Sequence, residues 1–362
     1  MQSTPSGLNS SAAIPSITRR GLLQIGSLAA GSATGLSLAA GPGADAAPAT
    51  GGGGPSDLRE HLLRCLGGGW PDPCDLKPEV RSTVQKDGYR LESVSYEAEP
   101  GERVPAYLLV PDGVSASSPA PGVAVWHPHG GQWKLGKDWP AGFGPAGLEH
   151  RTGVDLAHEG YVVLCPDALC FGERRRTPSD GVDYERFEFC RYVVMGKSMA
   201  WKNILDMRRA IDYLVSRPEV QPDRIGCYGH SMGSTFTWLI GPWEPRLKAL
   251  VGNCCLPTYA AIHRTGIIHC FPNYIPGFFQ YGDTPDIAGL TAPRPLHLNL
   301  GEEDEGSPIE EARAGLETIA AAYARAGAAD RFTSFVEPGA GHVLSEQMWA
   351  HVKRTLGQYL RS

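Results

Sequence analysis

The stretch from Arg224 to Gly233 carries the first sign of chemistry. It reads as a short apolar strand, Arg224-Ile225-Gly226-Cys227-Tyr228, running into Gly229-His230-Ser231-Met232-Gly233 and on into a helix. A serine hydroxyl is a poor nucleophile unless a base takes its proton and the backbone exposes it. A strand-to-helix elbow provides the exposure, and Gly229 and Gly233 leave room for the chain to fold back on itself. The backbone N–H of Met232 then faces the space in front of the Ser231 hydroxyl from a helix N-terminus, where developing negative charge is stabilised. Gly-x-Ser-x-Gly is short and common, so it gains meaning only if two partners follow in the right order.

Both partners follow. The segment Gly301-Glu302-Glu303-Asp304-Glu305-Gly306-Ser307-Pro308 comes after an apolar strand, and Glu337-Pro338-Gly339-Ala340-Gly341-His342 comes after the last one. Of the eleven histidines, only His342 follows the last strand in a glycine-flanked turn. His342 is placed to take the proton of Ser231 and to return it to a leaving group. Asp304 is the candidate that fixes the imidazole tautomer. Glu302, Glu303 and Glu305 compete for that role, but the spacing Gly-x-x-Asp-x-x-x-Pro and the shorter side chain favour Asp304. A second oxyanion donor is expected from the loop His127-Pro128-His129-Gly130-Gly131-Gln132. The backbone N–H of His129 or Gly130 is favoured there, with Gly131 as a third choice. Two histidines one residue apart also suggest a metal, but no further ligand lies at suitable spacing, so no metal site is expected.

Alternating strands and helices position these residues. Helices are expected over Asp57–Leu66, Gly153–His158, Ser198–Arg217, Ile309–Ala326 and Leu344–Leu360. Strands are expected over Leu91–Glu97, Arg103–Val110, Gly122–Trp126, Gly160–Asp167, the elbow strand from Arg224, Leu247–Cys254, Pro293–Leu300 and Arg331–Val336. The first two form a hairpin at the sheet edge, turning at Glu99-Pro100-Gly101-Glu102. Residues 67–90 are expected to wrap the surface, and Phe171–Lys197 to form a lid, a substrate loop or surface packing. The fold class is α/β: a mostly parallel central sheet covered by helices on both faces. Ser231, Asp304 and His342 all fall at strand C-terminal ends, where such sheets bind ligands.

With 362 residues, 42% hydrophobic and 20% charged, the chain can bury a large core. A net charge of −6 argues against a nucleic-acid surface. Arg174-Arg175-Arg176 reads as a solvated loop. The pair Arg19-Arg20, an apolar run from Ile25 to Ala40, and Ala44-Asp45-Ala46 resemble a twin-arginine export signal over residues 1–46. The expected localisation is therefore secreted or periplasmic, with the twin-arginine export machinery as a partner. Glycines interrupt the apolar run, so no stable membrane anchor is expected. Residues 47–55 read as a flexible linker, 56–90 as an accessory segment and 91–362 as the catalytic domain. The nine cysteines are not expected to build a disulfide framework, although Cys65 and Cys74 are the pair closest to forming a bridge.

From about residue 91 onward the chain resembles serine α/β-hydrolases of the dienelactone hydrolase-like group, in the branch related to acetyl xylan esterases. The resemblance rests on Pro166-Asp167-Ala168 with Phe171-Gly172-Glu173-Arg174, on Asp206 to Leu214, on Ser216 to Val220, on Asp223 to Gly226, on Gly229 to Gly233, on Ala292-Pro293-Arg294-Pro295 and on Gly339 to His342. Dienelactone hydrolases proper carry a cysteine where this chain has Ser231, so lactone chemistry is not implied. Pro128 stands where the oxyanion loop often has glycine.

The expected reaction is ester hydrolysis through an acyl-enzyme on Ser231, with no cofactor. The leading substrates are small-molecule or oligosaccharide esters, acetylated carbohydrate first. Trp133, Trp139, Phe143, Tyr274, Phe278, Phe279 and Tyr281 lie in loops that could face the site and stack on sugar rings. Two other readings remain. One is a prolyl-oligopeptidase-like peptidase, which lacks room here for the usual propeller; the other is an exported binding protein with a dead site.

Overall fold

The structure is a computed structural model and describes residues 54–176 and 181–362. The expected signal peptide and most of the linker lie outside the described residues. In chain order the elements are α1 (Pro55–Leu66), β1 (Glu79–Lys86), β2 (Tyr89–Glu99), β3 (Glu102–Pro111), β4 (Ala120–Trp126), α2 (Thr152–His158), β5 (Val162–Pro166), α3 (Val182–Val194) and α4 (Met199–Ser216). They continue with β6 (Val220–His230), α5 (Met232–Ile240), β7 (Leu247–Asn253), α6 (Tyr259–Thr265), α7 (Thr284–Gly289), β8 (Leu296–Gly301), α8 (Ile309–Arg325), β9 (Phe332–Glu337) and α9 (Glu346–Leu360).

The strands form one nine-stranded sheet in the order β1-β2-β3-β5-β4-β6-β7-β8-β9. β1, β2 and β3 pair antiparallel, and β3 meets β5 antiparallel. From β5 to β9 every pairing is parallel. Period-two alternation sends the core to both faces. On β4, Val123 and Val125 pack with Leu156 of α2 and Met348, Val352 and Leu356 of α9, while Ala124 and Trp126 pack with Ile204 and Ile211 of α4 and Phe236 of α5. This is the α/β-hydrolase arrangement expected from the sequence.

Three stretches differ from expectation. Residues 79–86, expected to wrap the surface, form an edge strand, so the β2–β3 hairpin sits one strand inside the edge. Every residue of β1 is exposed, and without a buried side the alternation that marks a strand is absent. Arg174 is not a solvated loop residue. Its side chain, only 6% exposed, lies between Asp206 and Glu102, both at 2.7 Å, beside Lys202, which pairs with Asp206 at 2.9 Å and Glu99 at 2.6 Å. Within 171–197, residues Val182–Val194 form helix α3.

Candidate active site

Ser231 sits between β6 and α5 at φ 58° and ψ −119°, a strained conformation for a residue with a side chain. The two glycines of the elbow make that turn sterically feasible. A Cβ on Gly229 would lie 2.1 Å from the carbonyl oxygen of Gly233, and one on Gly233 would lie 2.1 Å from that of Trp126. The Ser231 N–H donates to the carbonyl of Asn253 at 2.8 Å, pinning the elbow to the end of β7.

The three residues expected to cooperate converge. Ser231 Oγ lies 2.8 Å from His342 Nε2, and His342 Nδ1 lies 2.9 Å from Asp304 Oδ2. With Asp304 as acceptor, Nδ1 carries the proton and Nε2 is left to accept from the serine hydroxyl. Asp304 is buried, and its other oxygen accepts the N–H of Gly306 at 2.9 Å. Among its competitors, Glu303 and Glu305 are exposed and Glu302 pairs with Arg313 at 2.8 Å. The aspartate loop is itself anchored, since Ser307 Oγ accepts the N–H of Leu256 at 3.1 Å.

The loop 127–132 stands after β4. Met232 opens α5, so its N–H is one of the helix's unpaired amino-terminal donors. In the facing loop, Gly131 N–H donates to His129 Nδ1 at 3.0 Å, which leaves His129 and Gly130 as the loop's candidate oxyanion donors. Gly130 has φ 48°, and a Cβ there would strike Trp139 at 2.5 Å. His127 ties this loop to the end of β5. Its Nδ1–H donates to the Pro128 carbonyl at 2.8 Å, and its Nε2 accepts the Ala168 N–H at 3.1 Å. Burial pushes the His127 imidazole down to about 4, which keeps it neutral.

Sequence reasoning left several neighbours unassigned. His230 is buried beside Ser231, accepts from Asn253 Nδ2 at 2.9 Å and approaches Glu149 at 3.4 Å. Burial lowers its pKa, and its hydrogen bond lowers that of Glu149. His230 lies inside the recognised pentapeptide, but nothing in the sequence ties it to Asn253 or Glu149. Glu185 of α3 meets His129 of the loop 127–132, and no local pattern marks it.

A cleft of about 470 Å³ opens over Ser231 and His342, with Ile267, Ile268, His269 and Cys270 along one wall. None of the seven aromatic residues picked out in the sequence lines it. Trp139 stacks on His150 and Tyr281 on His61, while Phe143 packs tilted against Tyr107. Phe279 packs on Tyr259 and Tyr274 on Phe189, while Phe278 is buried and Trp133 packs edge-on to His129.

Comparisons with known proteins agree with this architecture. The chain is 31% identical over 290 residues to the Bacillus subtilis (strain 168) protein named "Putative hydrolase YtaP", covering 79% of this chain and 93% of that one. Among solved structures, one described as a putative acetyl xylan esterase from Bacteroides fragilis superposes with a TM-score of 0.62 at 19% identity, covering 78% of this chain and 74% of that one. A glucuronoyl esterase from Solibacter usitatus superposes with a TM-score of 0.60 at 17% identity, covering 83% and 91%. At such identities these two likenesses establish the fold. The model of the Abhydrolase family matches residues 72–339, and with the relative above it shows that the chain belongs to the Abhydrolase family and is a hydrolase.

Proposed function

We propose that the protein is a serine carboxylic ester hydrolase that acts through an acyl-enzyme on short-chain, chiefly acetyl, esters of carbohydrates. The observation that carries this reading is the unbroken hydrogen-bonded relay from Ser231 through His342 to Asp304 at the floor of an open cleft. Ser231 Oγ attacks the ester carbonyl as its proton passes to His342 Nε2. Asp304 holds the imidazole and balances the positive charge it gains. The N–H of Met232 and that of His129 or Gly130 receive the oxyanion, each worth roughly 3 kcal/mol in the transition state. His342 then protonates the departing alkoxide, and the acyl group remains on Ser231. Water activated by the same imidazole attacks the acyl carbonyl, and the carboxylic acid leaves with Ser231 restored.

The carbohydrate half of the proposal draws on the names of the structural neighbours, one described as a putative acetyl xylan esterase and the other as a glucuronoyl esterase. Since none of the seven aromatic side chains lines the cleft, sugar recognition would rest on polar groups of its lining, among them His269, Glu303 and Glu305. We further propose that residues 1–46 direct twin-arginine export, which would bring the enzyme to extracellular polysaccharide fragments.

A rate panel on the purified protein tests the reading. It compares p-nitrophenyl acetate, longer p-nitrophenyl esters, acetylated xylo-oligosaccharide and a proline-containing peptide amide. Faster turnover of acetyl than of longer esters, with acetate released from the oligosaccharide, is expected. Amide cleavage without ester preference, or no turnover at all, would contradict it.

A further inference from the structure

The oxyanion loop is gripped from outside the triad. Because Gly131 N–H donates to His129 Nδ1, the proton of this imidazole sits on Nε2. That Nε2–H donates to Glu185 Oε2 at 2.9 Å, and Trp133 Nε1–H donates to the same oxygen at 2.8 Å. One carboxylate oxygen on α3 thus holds the side chains on both flanks of Gly130-Gly131-Gln132. The Glu185 side chain is only 1% exposed. α3 is in turn fixed to the wall of the cleft, where Phe189 stacks on Phe271 at 4.9 Å, next to Cys270.

We propose that Glu185 is a positioning residue for catalysis: through the imidazole of His129 it sets the place of the backbone N–H groups that receive the oxyanion. The inference rests on the reading of Ser231 as nucleophile. Two features give this anchor its importance. Gly130 and Gly131 have φ of 48° and 67°, so this turn has no side chains to hold it in place. An oxyanion donor works only within about 2.7–3.1 Å of the developing charge, and a misplacement of roughly 1 Å costs on the order of a hundredfold in rate. The carboxylate is also placed at a cost. Its second oxygen, Oε1, is buried with no hydrogen-bond partner among the described residues. The orientation of α3 serves this contact, since the helix turns Glu185 and Glu188 inward and leaves Phe187 and Val194 exposed.

The test compares Glu185→Ala and Glu185→Gln with the unaltered protein on p-nitrophenyl acetate. Each kcat is expressed per active site titrated with a serine-reactive phosphonate, so that unfolded protein does not count. Glu185→Ala should lower kcat by about 10- to 100-fold while KM stays within about threefold. Glu185→Gln should return kcat to within about threefold, because one amide oxygen can accept from both His129 and Trp133 as Oε2 does. In the pair Glu185→Ala with His129→Asn, the losses should not multiply, since both act on one contact. A Glu185→Ala enzyme with a lowered melting temperature but unchanged kcat per titrated site would overturn the inference and leave the esterase reading intact. Should Glu185→Ala fail to fold, His129→Asn carries the same test, and an unchanged kcat there overturns the inference equally. An unaltered protein that neither turns over ester nor takes up the phosphonate would overturn both.

Discussion

His342 Nε2 lies 2.8 Å from Ser231 Oγ although 111 residues separate them in the chain. The contact exists because β6 and β9, three positions apart in the sheet, are parallel and end on its same carboxyl side, where the turn after β9 reaches back to the end of β7 and the elbow. Tertiary evidence of this kind gives the pentapeptide around Ser231 its chemical meaning.

Asp304→Asn should reduce turnover by about three to four orders of magnitude while leaving the fold intact, because the amide can donate to Nδ1 and leave the imidazole in the wrong tautomer. Glu303→Gln and Glu302→Gln should stay within a few fold of the unaltered rate. Steady-state kinetics on p-nitrophenyl acetate decides it; a large loss from Glu303→Gln instead would move the acid to that residue.

Gly229→Ala and Gly233→Ala should each destabilise strongly, since the added methyl meets a backbone carbonyl at 2.1 Å in both cases. Overpacking of this kind typically costs about 1–3 kcal/mol and more where backbone must shift. Chemical denaturation of the two variants should show a clearly lowered midpoint, and unchanged midpoints would mean the elbow is looser than described.

Stability should fall on mild acidification. Burial pushes His127 and His297 from the usual 6.5 down to about 4, so the folded state holds both rings neutral while the unfolded chain takes up protons below about pH 6.5. Their contribution is fully present above that pH and is lost as the pH falls toward 4, on the order of 3 kcal/mol for each ring. Denaturation midpoints measured at pH 7, 6, 5 and 4.5 should decline. His297→Gln should decline less steeply by up to one proton; an identical slope in the variant would sink the assignment.

Changing Arg19 and Arg20 together to Lys should leave the full-length precursor inside the cell. Fractionation and blotting report this directly, and normal export of the double variant would remove the twin-arginine reading.

Much of this architecture was legible because buried parallel strands announce themselves. β4, β5, β7 and β8 are short, largely apolar runs and β6 carries one from Ile225 to Tyr228, and the candidate residues Ser231, Asp304 and His342 followed from the order of β6, β8 and β9. The edge strand β1 was hidden because it buries no side chain. Helix α3 was hidden for the opposite reason: its charged Glu185 and Glu188 face inward while Phe187 is 53% and Val194 87% exposed, inverting the usual amphipathic signal. The cluster around Arg174 misled in the same way, since a run of arginines looks solvated until Asp206 and Glu102 are brought to it. The aromatic residues of the loops were visible, but whether they faced the cleft or packed on one another depended on contacts distant in sequence. Which loop N–H is available beside Met232 could be narrowed only once the His129 ring was seen to occupy that of Gly131.

Ser231 is the proposed nucleophile, and covalent labelling is the most direct check of that role. The purified protein would be treated with a serine-reactive phosphonate, digested, and its peptides weighed. One modified peptide is expected, the one containing Ser231, with loss of ester turnover in step with labelling and no labelling of Ser231→Ala. Turnover that survives full modification, or a Ser231→Ala variant that still hydrolyses acetate esters at the unaltered rate, would contradict it.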